Sequence, residues 1–211
     1  MRTKENDVIE IDYVGFTLAD TRVFDFTDLT IIDKNSDQKV PTKIIKLGKA
    51  DLLPGLDVQL INKEIGKTYD LIVPHTQAFG KRDPKRTKLI SLAEFKKHNV
   101  EPQVGMQIDL DGTIARVKTV SGGRVILDFN HPLAGKDLGY KVRINKKVTE
   151  LKDQIQGYVH LAIPDATISL KDKAVTITCS KEIDSRMKPI IEKNLKQRFP
   201  ALTTVKIATK S

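Results

Sequence analysis

Residues 47–57 read Leu47-Gly48-Lys49-Ala50-Asp51-Leu52-Leu53-Pro54-Gly55-Leu56-Asp57, and Ala78-Phe79-Gly80 follows. Beyond a stretch from 84 to 127 the chain continues Asp128-Phe129-Asn130-His131-Pro132-Leu133-Ala134-Gly135. Leu53, Leu56 and Leu60 stand at i, i+3 and i+7, one face of a helix, so 51–62 reads as a short helix with a turn after it at Gly66. Strands flank it. Residues 8–16 alternate imperfectly between apolar and polar, and 23–26, 43–47 and 68–73 are short apolar runs bounded by turn residues. Residues 33–37 (Asp-Lys-Asn-Ser-Asp) form a turn-rich loop, and 140–144 read as a closing strand.

The stretch between the strings has a different character. Residues 81–86 (Lys-Arg-Asp-Pro-Lys-Arg) make a charged, proline-marked hinge. Ser91 with Glu94 three residues on is a capping-box pattern, which predicts a helix running to about Asn99. Residues 106–110 and 113–119 alternate around Asp111-Gly112, a hairpin signal, and Gly122-Gly123 turns the chain before 125–127. This is a small strand-rich insert. The expected domains are 1–83 with 128–148, the insert 84–127, and a last part 149–211.

In that last part Leu151, Ile155, Tyr158, Val159 and Ala162 give a helical stripe. Ile168 and Leu170, then Val175, Ile177 and Cys179, give two strands. Ile191, Leu195 and Phe199 give a second helix stopped by Pro200, and Val205 with Ile207 a last strand. The order α-β-β-α-β predicts a two-layer α+β domain. Having its own stripes and strands, it is expected to fold separately and to be dispensable for action on short peptides.

Composition narrows the class. The chain has 211 residues, 39% hydrophobic and 30% charged, an ordinary folded balance. No apolar leader and no long apolar run is visible, so neither a secretory signal nor a membrane span is expected. Cys179 is the single cysteine. It excludes an internal disulfide, fits a cytoplasmic location, and alternates with Val175 and Ile177 as a small core residue. His75, His98, His131 and His160 are scattered without metal-ligand spacing, and no GxxxxGK[ST] or GxGxxG string occurs, so no metal or cofactor is expected. Lys and Arg number 36 against 27 Asp and Glu, net +9, which fits either a solvated surface or attraction to nucleic acid or the ribosome. Only 5% of residues are aromatic, and the last part carries a single glycine, Gly157, so stacking platforms and a GxxG backbone clamp are not evident.

The order of these strings resembles the SlyD-like branch of the FKBP-type peptidyl-prolyl isomerases, its long archaeal-type members in particular. The string at 128–135, standing after an insert of the expected size, is its most specific part. The resemblance runs from about Val8 to Val148. It implies an α+β fold, an antiparallel half-barrel wrapping a short helix. It also implies a pocket of Tyr13, Phe24, Asp25, Leu52, Leu53, Leu56, Phe79, Leu133, Leu138 and Tyr140, with Leu52 and Leu53 offering backbone to the bound peptide. Two positions depart from the family pattern: Phe79 stands where tyrosine is usual, and Leu56 where many relatives carry an aromatic floor. Both bear on macrolide binding more than on isomerisation. In SlyD-like relatives the insert binds unfolded chains. Here its apolar residues Ile90, Leu92, Phe95, Val100, Met106 and Ile108 are expected to divide between a small core and an exposed groove.

Rotation about an X-Pro bond has a barrier of roughly 18–20 kcal/mol because amide resonance is lost when the bond twists. The planar amide carries more charge separation than the twisted one, so an apolar, water-poor pocket favours the twisted form. A ten-thousandfold acceleration needs about 5.4 kcal/mol of differential stabilisation and no proton transfer. The implied substrates are unfolded or nascent polypeptides containing X-Pro bonds. The competing reading is a non-enzymatic chaperone or ribosome/RNA-associated module that uses its basic surface. A dimer through 149–211 is a further expectation.

Overall fold

The computed structural model describes residues 1–110 and 112–209. Contacts divide the chain into two compact units. One comprises Met1–Phe16, Arg22–Ile72 and the chain from Gly139; the other comprises Thr17–Thr21 and Val73–Leu138. In chain order the elements begin with β1 (Val8–Thr17), β2 (Val23–Phe26), β3 (Lys43–Lys46), α1 (Pro54–Gln59) and β4 (Thr68–Val73). The second unit supplies β5 (Thr87–Ser91), α2 (Leu92–Lys97), β6 (Gln107–Leu110), β7 (Thr113–Ser121) and β8 (Arg124–Asp128). The chain then returns to the first unit with β9 (Leu138–Lys147), α3 (Leu151–His160), β10 (Thr167–Lys171), β11 (Ala174–Cys179), α4 (Lys188–Arg198) and β12 (Thr204–Thr209).

In the first unit β1 is the spine of an open sheet ordered β2-β1-β9-β4. Its two halves take different antiparallel partners: Val8 to Ile11 face β3, and Val14 to Phe16 face β2. Eight of its ten residues are buried, on both faces, which explains the imperfect alternation seen in the sequence. Leu56 and Leu60 are buried, as are Ile9, Ile11, Val14, Ile45, Val142 and Ile144 of the sheet. The helix between β3 and β4 is shorter than the 51–62 read from the leucine spacing. Pro54 takes the first helical position and forces Leu53 into an extended conformation (ψ 139°). Asp51 is left outside the helix, where its Oδ2 accepts a hydrogen bond from the Lys46 amide at 2.7 Å.

The chain from α3 onward follows the expected α-β-β-α-β order. β10 and β11 form an antiparallel hairpin, and β12 lies parallel to β11 after a crossover through α4. One core unites them, including Ile155, Val159, Val175, Ile177, Leu195 and Phe199. Cys179 lies in this core, and burial pushes its thiol upward, as an inert core residue requires. Helix α3 also packs on β3. A Cβ on Gly157 would stand 2.2 Å from the Ile44 Cβ, so only glycine permits this approach.

The second unit is a four-stranded antiparallel sheet ordered β5-β8-β7-β6, with α2 packed on it around Phe95, Ala115, Val117, Val125 and Leu127. β5 is an element the sequence pattern did not announce. Its residues pair along β8 from Thr87 opposite Asp128 to Ser91 opposite Arg124. The predicted capping box forms by half. Ser91 accepts from the Ala93 amide at 3.2 Å, while Glu94 turns forward to Lys97. Asn99 (φ +54°) ends α2 in a Schellman pattern, with the Val100 amide on the Phe95 carbonyl and the Asn99 amide on the Lys96 carbonyl, both at 3.0 Å. Gly122 and Gly123, both at positive φ, make the tight turn between β7 and β8. Asp111 of the other predicted hairpin lies outside the described residues; its flanks pair as Leu110 opposite Thr113.

Candidate functional site

In the first unit β1, β2 and β9 bring four of the candidate residues together. The Tyr13 and Tyr140 ring centroids lie 6.1 Å apart, and Phe24 meets Tyr140 edge-on at 5.8 Å. Gly15, between Tyr13 and the β1–β2 turn, makes room for this cluster. A Cβ there would stand 2.8 Å from the Tyr140 ring and 2.9 Å from the Phe24 ring. Asp25, opposite Gly15 in the pairing, accepts the Tyr13 hydroxyl hydrogen at 2.6 Å. Lys43 completes the arrangement: its Nζ lies 3.5 Å from Asp25 Oδ2, 4.8 Å from the Tyr13 ring centroid, and donates to the Tyr13 hydroxyl. Burial first, then the Asp25 carboxylate, push the Tyr13 hydroxyl strongly upward; Tyr140 is raised for the same two reasons. Both phenols therefore stay protonated at neutral pH.

In the sequence Lys43 carries no functional signal: it reads as an ordinary polar residue at the start of a strand. Only the register, which sets Lys43 opposite Ile11, brings it alongside Tyr13 two residues further along β1. A second missed group lies behind the aromatics. Arg143 Nη2 donates to Asp12 at 2.8 Å and to Asp28 at 2.7 Å, and both carboxylates are buried. Thr27 links this pair to the site, accepting from the Tyr13 amide at 2.8 Å while its hydroxyl donates to Asp12 at 3.2 Å. Burial alone would raise the Asp28 carboxyl; hydrogen bonds from Thr30, Arg143 and Lys39 outweigh it and hold the group at about 2.

The remaining candidates of this unit surround α1. Leu52 and Leu53 are half-buried at its start. Leu56 is 2% exposed and packs as core, leaving almost no side-chain surface for a pocket floor. The Asp57 carboxylate folds the preceding loop back on the helix, accepting from the Gly48 amide at 3.0 Å.

In the second unit Phe79 stacks flat on His131, centroids 4.0 Å apart and planes within 4°. His131 Nδ1 accepts from the Leu133 amide at 3.2 Å, Leu133 is half-buried, and Leu138 is fully buried. Asn130 fastens the two legs of the insert. Its Oδ1 accepts from the Asp83 amide at 2.9 Å and its Nδ2 donates to the Asp83 carbonyl at 3.0 Å. Arg82 and Asp128 form an ion pair alongside. Of the six apolar insert residues, Phe95 is buried, and Ile90, Leu92, Val100 and Ile108 pack against the small core; Met106 is 40% exposed. The more exposed apolar side chains are ones the sequence reading did not select: Leu89 (60%), Val104 (69%) and Ile114 (64%). The same unit holds a cleft of about 200 Å³ lined by Arg82, Arg116, Lys118, Lys136, Asn130 and His131, among others. Among the described residues no cluster of His, Cys, Asp or Glu could hold a metal ion, and no helix is long and apolar enough to cross a membrane.

Comparison with known proteins fits this geometry. The family described as FKBP-type peptidyl-prolyl cis-trans isomerase matches residues 1–96, and the one described as the FKBP26 IF domain matches residues 88–133. A short-type peptidyl-prolyl cis-trans isomerase of Methanocaldococcus jannaschii is 29% identical over 146 residues, 67% of this chain and 91% of its own length. The SlyD FKBP-type isomerase of Treponema pallidum is 34% identical over 110 residues, 50% of this chain and 61% of its own. A probable 16 kDa FKBP-type isomerase of Pseudomonas fluorescens is 29% identical over 146 residues, 60% of this chain and 93% of its own. These matches give the chain an FKBP-type peptidyl-prolyl cis-trans isomerase domain followed by an FKBP26-type insert domain. The insert-domain match and the relatives named SlyD make it SlyD-like, and in this chain Asn130 fastens the two legs of the insert.

Proposed function

We propose that this protein rotates X-Pro bonds of unfolded or nascent chains against the aromatic cluster of its first unit, and that the insert captures those chains. The observation that carries this reading is the Tyr13–Phe24–Asp25–Tyr140 cluster, a partly apolar wall with one half-exposed carboxylate at its rim. Phe24 and Tyr140 present ring surface to the proline. Leu52 and Leu53 present the backbone before α1 to the peptide, and Leu56 supports them from the core. Tyr13, pinned by Asp25 and Lys43, keeps the wall in one arrangement. Tyr140 retains its hydrogen and can donate to the carbonyl of the twisting bond. Every step is binding and exclusion of water; no bond other than the rotating amide changes order.

The division of labour follows the boundaries read from the sequence: rotation by 1–83 with 128–148, capture by 84–127. Exposed Leu89, Val104, Met106 and Ile114 supply the adhesive surface of the insert. A protease-coupled isomerisation assay on a short prolyl peptide tests the enzymatic reading. A rate no faster than buffer leaves only binding.

One observation favours a second reading. The cleft lined by Arg82, Arg116, Lys118 and Lys136 also holds Asp128, which pairs with Arg82; the three remaining cations leave it positive, suited to a non-enzymatic contact with nucleic acid or the ribosome. Binding of single-stranded RNA that weakens steeply between about 0.05 and 0.2 M salt, and that is lost on changing Arg116 and Lys118 to Gln, would support it.

A further inference from the structure

The loop from Gly48 to Leu53 has to be held. Gly48 and Ala50 both adopt positive φ (+76° and +58°), and for Ala50 that conformation is strained. Two carboxylates grip it. Asp57 takes the Gly48 amide, and Asp51 takes the Lys46 amide at 2.7 Å. The second grip extends outside the sheet-and-helix core that surrounds it. Asp51 Oδ2 is also ion-paired with Arg198, the last residue of α4, and both side chains are about nine-tenths buried. Arg198 is itself fixed from α3, with its Cζ 4.4 Å from the Tyr158 ring centroid, while its Nε has no partner among the described residues. The strand that feeds the loop is held from the same side, by α3 lying against Ile44 at Gly157. Burial and then the charge of Arg198 depress the neighbouring Lys46 ammonium at the end of β3.

We propose that Arg198 is a positioning residue for isomerisation, and that the part of the chain from α3 to β12 clamps the backbone of Leu52 and Leu53 through Asp51. This rests on the reading of Leu52 and Leu53 as peptide-facing. It reverses the expectation that residues 149–211 are dispensable for action on short peptides. Arg198 touches no substrate. It acts by restricting a strained loop that would otherwise sample other conformations.

The test uses the full chain. Wild type, Arg198→Met, Arg198→Lys and a control, Ile168→Val, which trims the core of the same part of the chain, are compared by steady-state kinetics on a prolyl tetrapeptide and by amide spectra of residues 48–53. Arg198→Met is expected to raise KM and to lower kcat/KM at least fivefold, and to shift the Leu52 and Leu53 amides. Arg198→Lys should fall between it and wild type. The control should change kcat/KM by less than twofold. Simple loss of folded protein would lower apparent kcat at unchanged KM. Unchanged kinetics with unchanged loop amides in Arg198→Met overturn the proposal. If Arg198→Met does not fold, Arg198→Lys at wild-type values overturns it. If wild type itself is inactive, the isomerase reading fails separately, and the Leu52 and Leu53 amides alone decide whether Arg198 positions the loop.

Discussion

Tyr13 and Asp25 meet through a 2.6 Å hydrogen bond from the phenol to the carboxylate, across two strands paired so that Asp25 faces Gly15. The contact joins the most buried ring of the aromatic cluster to its most exposed charge. Lys43 sits against both, and Thr27 anchors the Tyr13 backbone to the Asp12–Arg143–Asp28 group behind it. The wall proposed to receive proline is therefore fixed from two sides.

Asp25→Ala and Tyr140→Phe are each expected to lower isomerase activity several-fold with the fold intact. Asp25 is half exposed and Tyr140→Phe leaves ring packing unchanged, so circular dichroism should match wild type. Tyr140→Ala should lower activity further, but it also opens a cavity costing about 3–5 kcal/mol, which makes it the weaker test. Wild-type turnover in both folded variants would remove this cluster from the mechanism.

Gly157→Ala should destabilise. In an exposed helix interior this change stabilises by about 1 kcal/mol. Here the added methyl collides with the Cβ of half-buried Ile44 at 2.2 Å, an atom that no rotamer change of that β-branched side chain can move. The expectation is a Tm lower by about 4 °C or more in thermal unfolding. A higher Tm would show that α3 does not lie this close to β3.

Stability should fall in a defined acid window. The folded Asp28 carboxyl is held at about 2 against an ordinary 3.8. A depressed folded value contributes stability above the ordinary value and loses it as pH falls from about 4 towards 2. The contribution is about 2 kcal/mol, from a carboxylate that is nearly fully buried. Urea midpoints at pH 5 and pH 2.5 should therefore differ more for wild type than for Asp28→Asn. An equal difference in both proteins would contradict the assignment of this network.

Replacing residues 84–127 with a short turn should spare activity on tetrapeptides and greatly reduce catalysis of a proline-limited refolding reaction. The legs lie together at Asp83 and Asn130, so the cut ends can be bridged without strain. Equal losses on both substrates would make the insert part of the rotating site.

The strands, the insert and the order of the last part were legible because they rest on local signals: period-two alternation, a Gly-Gly turn, a serine cap, leucines at helical spacing. What escaped was set by pairing between distant segments. Lys43, Asp12, Asp28 and Arg143 occupy positions that read as solvent-facing and become a network only through register. β5 was missed because Lys88-Leu89-Ile90 has no alternation of its own and is a strand by virtue of β8. Leucine spacing alone extends the helix over 51–62; Pro54, which holds Leu53 extended, starts it later. In the sequence Gly157 says only that no GxxG clamp exists, whereas its role is close approach to Ile44, which no sequence pattern encodes.

The most direct test of the central claim is proton exchange spectroscopy on a short X-Pro peptide in the presence of wild-type protein at catalytic concentration. Uncatalysed exchange takes tens of seconds or longer. The account predicts cis–trans exchange accelerated in proportion to protein concentration, with peptide-induced shifts at Tyr13, Phe24, Asp25 and Tyr140. Exchange at the buffer rate in the presence of folded protein would contradict it.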